Sequence, residues 1–414
     1  MSRTPILALA DLEHAAKRLL PASVFGYVSG GSEDGASLAQ NRQSFSRWQF
    51  LTHPLVDVSE RSQAVELFGI RYGAPIGISP MGASVLCAFD ADRALAAAAH
   101  AAGVPFVLSA ASTTPLEHVA AVNPDMWYQA YLPARMEVID PLLERLRRAD
   151  VRVLVITADV PIASTREHEI RNGFSLPLRP SRKLILGGLA RPRWLAGTFA
   201  RTLLSQGVPH FENFAATRGG PIITALKNDH RAGRAAFTWD HIRKIRAAWS
   251  GTLIVKGILR PEDALAAVRA GADGIFVSNH GGRQLDGALA PLDALPAIAR
   301  AVTGTGLRLI MDGGIRRGTD VLKALALGAD AAFCGRPLLY GLATGGRSAA
   351  QEALEVLKRE IDINLALLGC PDVARLSPAY LTATGASELK APLPTPATHP
   401  HDHSHDQSEM SHAA

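Results

Sequence analysis

Eight short apolar runs rich in β-branched residues punctuate the chain, at 75–79, 105–108, 126–129, 152–157, 253–256, 274–278, 307–311 and 331–334. Stretches of helical pattern separate them, among them 91–102, 138–148, 238–249, 261–270, 291–301 and 319–327. A strand that must be followed by a helix before the next strand can form cannot build hairpins; it builds parallel crossovers. Eight such units without a break in composition predict a closed (β/α)8 TIM barrel. An open doubly wound sheet is the alternative, and the lack of a GxGxxG after the first strand weighs against it.

Two segments fall outside a bare barrel. Residues 172–236 form an excursion after the fourth strand, too long for an ordinary βα connection. Residues 383–414 are rich in Pro and His and predict a disordered tail, leaving 1–382 as one catalytic domain. His399, His401, His403 and His405 could gather metal adventitiously, but a solvated tail is the plainer reading, and no metal site is expected.

The formal net charge of +5 is uneven. Seven cations and no acid lie between Ile170 and Phe211, leaving 36 basic and 38 acidic residues elsewhere. The basic character thus belongs to one segment, which argues against a diffuse nucleic-acid surface. Within 178–204 six of those cations mix with Leu, Ile, Trp194 and Phe199, as a segment lying on an anionic membrane surface requires. Gly187, Gly188, Pro192 and Gly197 predict short helical pieces there; an oligomer contact or acid-binding patch is the competing account. Cys87, Cys334 and Cys370 lie too far apart for a CxxC site, and no apolar run reaches membrane-spanning length. The N-terminus lacks a signal-peptide pattern, so a reducing cytoplasm is the expected compartment.

In a barrel of this kind, functional groups gather at the C-terminal ends of the strands. Those ends read Ser79-Pro80-Met81-Gly82, Ser109, Gln129-Ala130-Tyr131, Thr157-Ala158-Asp159, Lys256, Ser278 to Arg283, Asp312 to Arg316, and Gly335-Arg336. Eight polar or glycine-bearing ends predict a large polar ligand at the mouth. Gly313, Gly314 and Gly335 follow strands seven and eight, where barrels bind phosphate, and Arg316 and Arg336 would add charge-assisted bonds. Tight turns alone would also explain these glycines. His280 is a candidate base that Asp159 could orient from across the mouth. Arg166 and Arg283 could grip a carboxylate, unless they are surface ion pairs. Lys256, behind an apolar run, needs a buried anion.

These residues resemble the FMN-dependent α-hydroxy acid oxidases and dehydrogenases across residues 8–381. The matching pieces are Tyr27 with Asn41-Arg42, Gln129-Ala130-Tyr131, Thr157-Ala158-Asp159, Arg166, Val255-Lys256-Gly257, Ser278 to Asp286, Asp312 to Gly318 and Gly335-Arg336-Pro337. The closing stretch 361–381 and the basic excursion are most similar to the mandelate dehydrogenase branch, with respiratory L-lactate dehydrogenases next. The resemblance implies His280 as base with Asp159, and Arg166 and Arg283 on the substrate carboxylate, assisted by Tyr27 and Tyr131. It implies Lys256 beside the flavin, where it would stabilise the reduced form. Ser109, Gln129, Thr157 and Ser278 would contact the ring, with Pro80, Met81 and Gly82 at its other edge. Asp312, Gly313, Gly314, Arg316, Gly335 and Arg336 would hold the phosphate.

The expected reaction is oxidation of an (S)-2-hydroxy acid, mandelate-like or lactate-like, with electrons passed to a membrane quinone or another carrier. A peripheral protein on the inner face of the cytoplasmic membrane and a homotetramer follow from the same resemblance. Gly82 stands where oxidases of the family typically have alanine, and glycolate oxidases have tryptophan and leucine where Ala111 and Ala163 stand. A soluble, peroxide-producing oxidase is one alternative. A flavin-barrel isomerase or silent flavin-binding module is another, and neither needs a carboxylate clamp with a base.

Overall fold

A computed structural model describes residues 6–224 and 233–384. Eight parallel strands form the central sheet: β1 (Ile76–Ile78), β2 (Val107–Ser109), β3 (Trp127–Ala130), β4 (Val153–Thr157), β5 (Thr252–Ile258), β6 (Gly274–Val277), β7 (Arg308–Asp312) and β8 (Ala331–Cys334). Each pairs with its sequence neighbour from β2 to β8, and β8 pairs back to β1. A bridge between Ile78 and Phe106 closes the ring. The fold is therefore the expected TIM barrel, with each expected strand recovered to within two residues at either end.

The strands are buried on both faces, as parallel strands covered by helices must be. The barrel interior is filled by Trp127, Val155, Ile254, Phe276, Ile310 and Phe333. Aromatic contacts knit them: Trp127 and Phe276 each pack on Phe333, with centroids 5.4 and 5.2 Å away. A hairpin of Val65–Leu67 and Ile70–Tyr72 packs Leu67 and Tyr72 into this same cluster. Outside, the helix Ala91–Ala102 packs on the long helical stretch Arg336–Leu368, which breaks at Gly345 and Gly346 and also carries Leu9–Leu19. The three N-terminal helices (Leu9–Leu19, Ala22–Ser29, Ala36–Gln43) were not foreseen from the apolar pattern.

The excursion does consist of short pieces: Arg182–Leu189, Pro192–Trp194, a π-helical turn Leu195–Ala200 and Arg201–Gln206. It is latched to the barrel. Trp194 is buried and its Nε1 donates to the Leu86 carbonyl at 2.7 Å. Arg191 Nε donates to the Leu20 carbonyl at 3.2 Å, and Arg201 lies 4.1 Å over the Phe89 ring. Two of the segment's cations are therefore docking contacts. The strand Leu381–Ala383 pairs with Trp48–Phe50, so ordered chain runs just into the segment expected as tail. The rest of that tail, with its four histidines, lies outside the described residues.

Backbone shape fixes the phosphate-side loop. Gly314 has φ +87°, and a Cβ there would stand 2.0 Å from the Asn41 carbonyl oxygen. Gly304 has φ +79° with nothing within 4 Å of a Cβ. Gly304→Ala should cost only left-handed strain, about 1–2 kcal/mol. Gly314→Ala should cost clearly more, because backbone must move. Thermal unfolding of the two variants checks this, and equal losses would refute it.

Candidate active site

The C-terminal ends of the strands meet in one cavity of about 640 Å³, a size suited to a cofactor with a small substrate. Tyr27, Pro80, Met81, Gly82, Tyr131, Thr157, Arg166, Lys256, His280, Arg283, Asp312, Gly313, Gly314, Arg316, Gly335 and Arg336 all line it. Ser109, Gln129 and Ser278 lie just behind, bonded to the wall or to one another. Ser109 Oγ donates to Gln129 Oε1 at 3.0 Å, and Gln129 Nε2 donates to Thr157 Oγ1 at 2.9 Å.

Lys256 ends an apolar strand with 3% of its surface exposed, so its ammonium needs an anion. That anion is Asp312, whose Oδ2 stands 2.9 Å from Nζ. Ser278 Oγ accepts from Lys256 and donates to Asp312 Oδ1 at 2.5 Å, while Ser79 Oγ donates to Oδ2 at 3.2 Å. The Asp312 carboxylate is thus committed to Lys256, and the residue lines the cavity beside Gly313 and Gly314.

His280 sits at φ +59°, a strained region for a side-chain-bearing residue, followed by left-handed Gly281 and Gly282. Its Nδ1 is 2.9 Å from Asp159 Oδ1 and its Nε2 is 3.4 Å from the Tyr131 hydroxyl. Asp159 gets this close to β5 because a bulge at Gly257 (φ +104°) leaves room: a Cβ there would lie 2.6 Å from Asp159 Cβ. Burial opposes ionisation of Asp159, but the His280 charge, its hydrogen bond and Lys256 outweigh that and hold the carboxyl below its usual value. Burial, followed by the Asp159 charge, pushes the Tyr131 phenol up, so it keeps its proton near neutral pH.

The arginines meet as expected, with a partner the sequence did not reveal. Arg283 Nη2 bonds Glu169 Oε1 at 3.0 Å, and Arg166 Nη1 is 3.6 Å from the same oxygen. Arg283 Nη1 also donates to the carbonyls of Tyr27 (2.7 Å) and Gly30 (2.9 Å), and Arg166 Nη2 to the Arg283 carbonyl (2.8 Å). Glu169 lies in the helix Glu167–Arg171, three residues beyond Arg166, which is the spacing that faces two side chains together. That spacing was the available signal. Tyr27 stacks on Phe174 at 4.5 Å and donates to the Gly82 carbonyl at 3.1 Å.

At the phosphate side the arginines crowd. Burial, then the charges of Arg283 and Arg316, disfavour the charged form of Arg336, a cost that an anion between them would relieve. Arg336 meanwhile donates to the carbonyls of Val28, Gly30 and Gly281 at 2.9–3.1 Å. The amides of Arg316 and Arg317 are taken by Asp320 at 2.8 and 3.0 Å, so that helix start is already capped by protein.

The model of the FMN-dependent dehydrogenase family matches residues 16–383. A curated (S)-mandelate dehydrogenase of Pseudomonas putida is 39% identical over 378 residues, 91% of this chain and 94% of the relative. An L-lactate dehydrogenase of Vibrio cholerae is 39% identical over 378 residues, 90% of this chain and 98% of the relative. Among solved structures, a monotopic membrane protein, (S)-mandelate dehydrogenase, superposes with a TM-score of 0.84 at 38% identity, covering 92% of this chain and 100% of that one. A mandelate oxidase structure superposes at 0.75 with 35% identity, covering 91% and 98%. The cavity's arginine cluster, left-handed glycines and polar strand ends fit FMN.

Removing the Lys256 charge tests the centre. Lys256→Met should destabilise by about 3–5 kcal/mol by orphaning Asp312. Adding Asp312→Asn should recover a large part. Urea unfolding of the single and double variants measures both, and a single variant as stable as wild type would contradict the ion pair's role.

Proposed function

The chain belongs to the FMN-dependent dehydrogenase family, and on that premise we propose that it oxidises (S)-2-hydroxy acids with aryl or branched side chains to 2-oxo acids. The observation that carries this reading is the His280–Asp159 pair set in one cavity with Arg166, Arg283 and Tyr131. FMN, when bound, supplies the two-electron acceptor. The protein's own groups do the rest. Arg166 and Arg283 hold the substrate carboxylate, with Glu169 keeping their forks aligned. Tyr27 and Tyr131 assist them through their hydroxyls. His280 takes a proton from substrate at Nε2, and Asp159 fixes the tautomer and stabilises the imidazolium. Lys256, Ser109, Gln129, Thr157, Ser278 and the Pro80–Gly82 backbone surround the ring, and Gly313, Gly314, Arg316, Gly335 and Arg336 hold the phosphate end. The catalytic unit we assign is residues 1–382.

Three small residues support a large substrate side chain. Gly82, Ala111 and Ala163 all line the cavity, and a Cβ on residue 82 would come within 2.7 Å of the Ala111 methyl. The relatives' names, mandelate and L-lactate dehydrogenase, indicate the class. A second reading, transfer to oxygen, has in its favour the structural neighbour named mandelate oxidase.

For the acceptor we infer a membrane quinone or other carrier. The excursion exposes Ile185, Leu186, Leu189, Phe199 and Leu204 beside its cations, Leu204 almost completely. Ile162 and Ile170 are exposed and also line the cavity, extending the apolar face to its rim. No helix among the described residues is long and apolar enough to cross a membrane, so attachment would be peripheral. We place the protein on the inner face of the cytoplasmic membrane, as a homotetramer.

His280→Ala should retain FMN yet lose anaerobic flavin reduction by at least roughly 10²–10⁴-fold, the range for removing a general base. Bleaching by (S)-mandelate at a near-normal rate would sink the base assignment. Replacing Leu186, Leu189 and Leu204 with serine should release the protein from vesicles containing anionic lipid, measured by co-sedimentation. Unchanged sedimentation, or wild type that stays in the supernatant at low salt, would refute membrane docking and favour the oxidase reading.

A further inference from the structure

Asp92 is a buried acid that none of the roles above uses. It stands 3% exposed in the first turn of the helix Ala91–Ala102. Its Oδ1 accepts from Ser84 Oγ at 2.5 Å, and its Oδ2 accepts from Ser112 Oγ. Burial pushes its carboxyl above the ordinary range, and hydrogen bonds from Ser112, Ser84 and Thr114 offset only part of that. An apolar side chain at this place would spare the barrel the cost of a buried charge. A carboxylate offers what no apolar residue can: two accepting oxygens, so that hydroxyls from two separate loops are held at once.

The two loops matter because of what they carry. Ser84 lies two residues after Gly82, in the turn Ser84–Leu86 that follows β1, and Ser112 lies directly after Ala111, beyond β2. Gly82 and Ala111 both line the cavity. Between them, the Ala83 amide donates to the Ala111 carbonyl at 3.0 Å. Ala83 is held at φ +53°, a left-handed conformation that a methyl-bearing residue keeps only where its surroundings impose it. The resulting approach is close: a Cβ on residue 82 would stand 2.7 Å from the Ala111 methyl. Tyr27 leans on the same place, its hydroxyl donating to the Gly82 carbonyl at 3.1 Å.

We propose that Asp92 is a positioning residue for substrate selection. By holding Ser84 and Ser112 on its two oxygens it fixes the spacing of Gly82 and Ala111, and with it the room left for the side chain of the 2-hydroxy acid. The inference rests on the reading of Gly82 and Ala111 as the side-chain end of the pocket, and it adds a residue from outside the cavity lining. His280 and Arg283 follow β6 and Arg166 follows β4, so a loosened clamp disturbs side-chain binding more than proton transfer.

Kinetics of the FMN-loaded enzyme with (S)-mandelate and (S)-lactate test it. Asp92→Ala should raise KM for mandelate more than it lowers kcat, and should lower the mandelate-to-lactate ratio of kcat/KM about fivefold or more, within the range for coupled residues. Asp92→Asn, which keeps one accepting oxygen, should retain most of the wild-type ratio. Binding of benzoylformate, the 2-oxo acid of mandelate, read from perturbation of the flavin spectrum, should weaken in parallel without turnover. The loss that Gly82→Ala causes with mandelate should be roughly threefold or more smaller in the Asp92→Ala background, because released loops give the new methyl room. A lowered melting temperature with an unchanged ratio, or equal Gly82→Ala losses in the two backgrounds, would mark Asp92 as merely structural and overturn the proposal while leaving the hydroxy acid reading intact. A wild-type flavin reduced by no 2-hydroxy acid defeats the broader reading and this inference with it. Should Asp92→Ala not fold, Ser84→Ala removes one arm of the clamp, and the same ratio and the same coupling decide.

Discussion

Lys256 stands almost wholly out of water at the end of β5, and a lone ammonium there would be untenable. Its pairing with Asp312 brings together the C-terminal ends of β5 and β7, with Ser278 between them after β6 and Ser79 closing from β1. A buried ion pair of this kind adds little net stability against a well-packed apolar substitute. It does fix where four strand ends can lie relative to one another. The loops that carry His280, Arg283, Gly313, Gly314 and Arg316 leave from two of those ends, so the geometry of that part of the mouth depends on this pair being satisfied.

A second constraint comes from backbone that only certain residues allow. Gly257 makes the bulge that admits Asp159, and Asp159 orients a histidine already held in a left-handed conformation. Asp286 then pins the following loop to the N-terminal helices by accepting the amides of Ala36 and Ser37 at 3.0 and 2.7 Å. Asn41 and Asn279 exchange hydrogen bonds at 2.7 and 2.8 Å nearby. The helices before the barrel are thus part of the site's support, although none of them belongs to the βα repeat.

Much of this could be read from the amino acids, for a physical reason. A parallel strand buried on both faces must be a short apolar run, and its end must turn polar where it reaches the mouth, so runs and ends are both visible. His280, Asp159, Lys256 and the arginines were found because each breaks an apolar run or a glycine loop at such an end. What stayed hidden depends on partners distant in sequence. Nothing near Asp312 says that its carboxylate faces Lys256 and not a ligand. Asp320 looks like any helix-start acid until it is seen taking the amides of Arg316 and Arg317. Arg234 sits in an excursion with no periodic pattern, and its stacking on Tyr131 is a tertiary fact. Of the N-terminal helices, Ala22–Ser29 and Ala36–Gln43 are only eight residues long with weakly segregated apolar faces, and Leu9–Leu19, which buries Leu9, Leu12 and Ala16 on one face, lies outside the βα alternation.

The excursion forms two surfaces with one stretch of chain. Phe174, Leu176, Phe211 and Phe214 line the cavity, while Ile185, Leu186, Leu189 and Leu204 face outward, and Trp194 anchors the segment between them. Inner wall and outer face are therefore inherited together. A lineage that reshaped this stretch for a different cellular surroundings would carry its pocket along, and one selected for a new pocket would disturb the outer face. Diversification in this architecture should proceed by exchange of the whole insert more readily than by scattered substitutions within it, with the barrel beneath left as a conserved chassis.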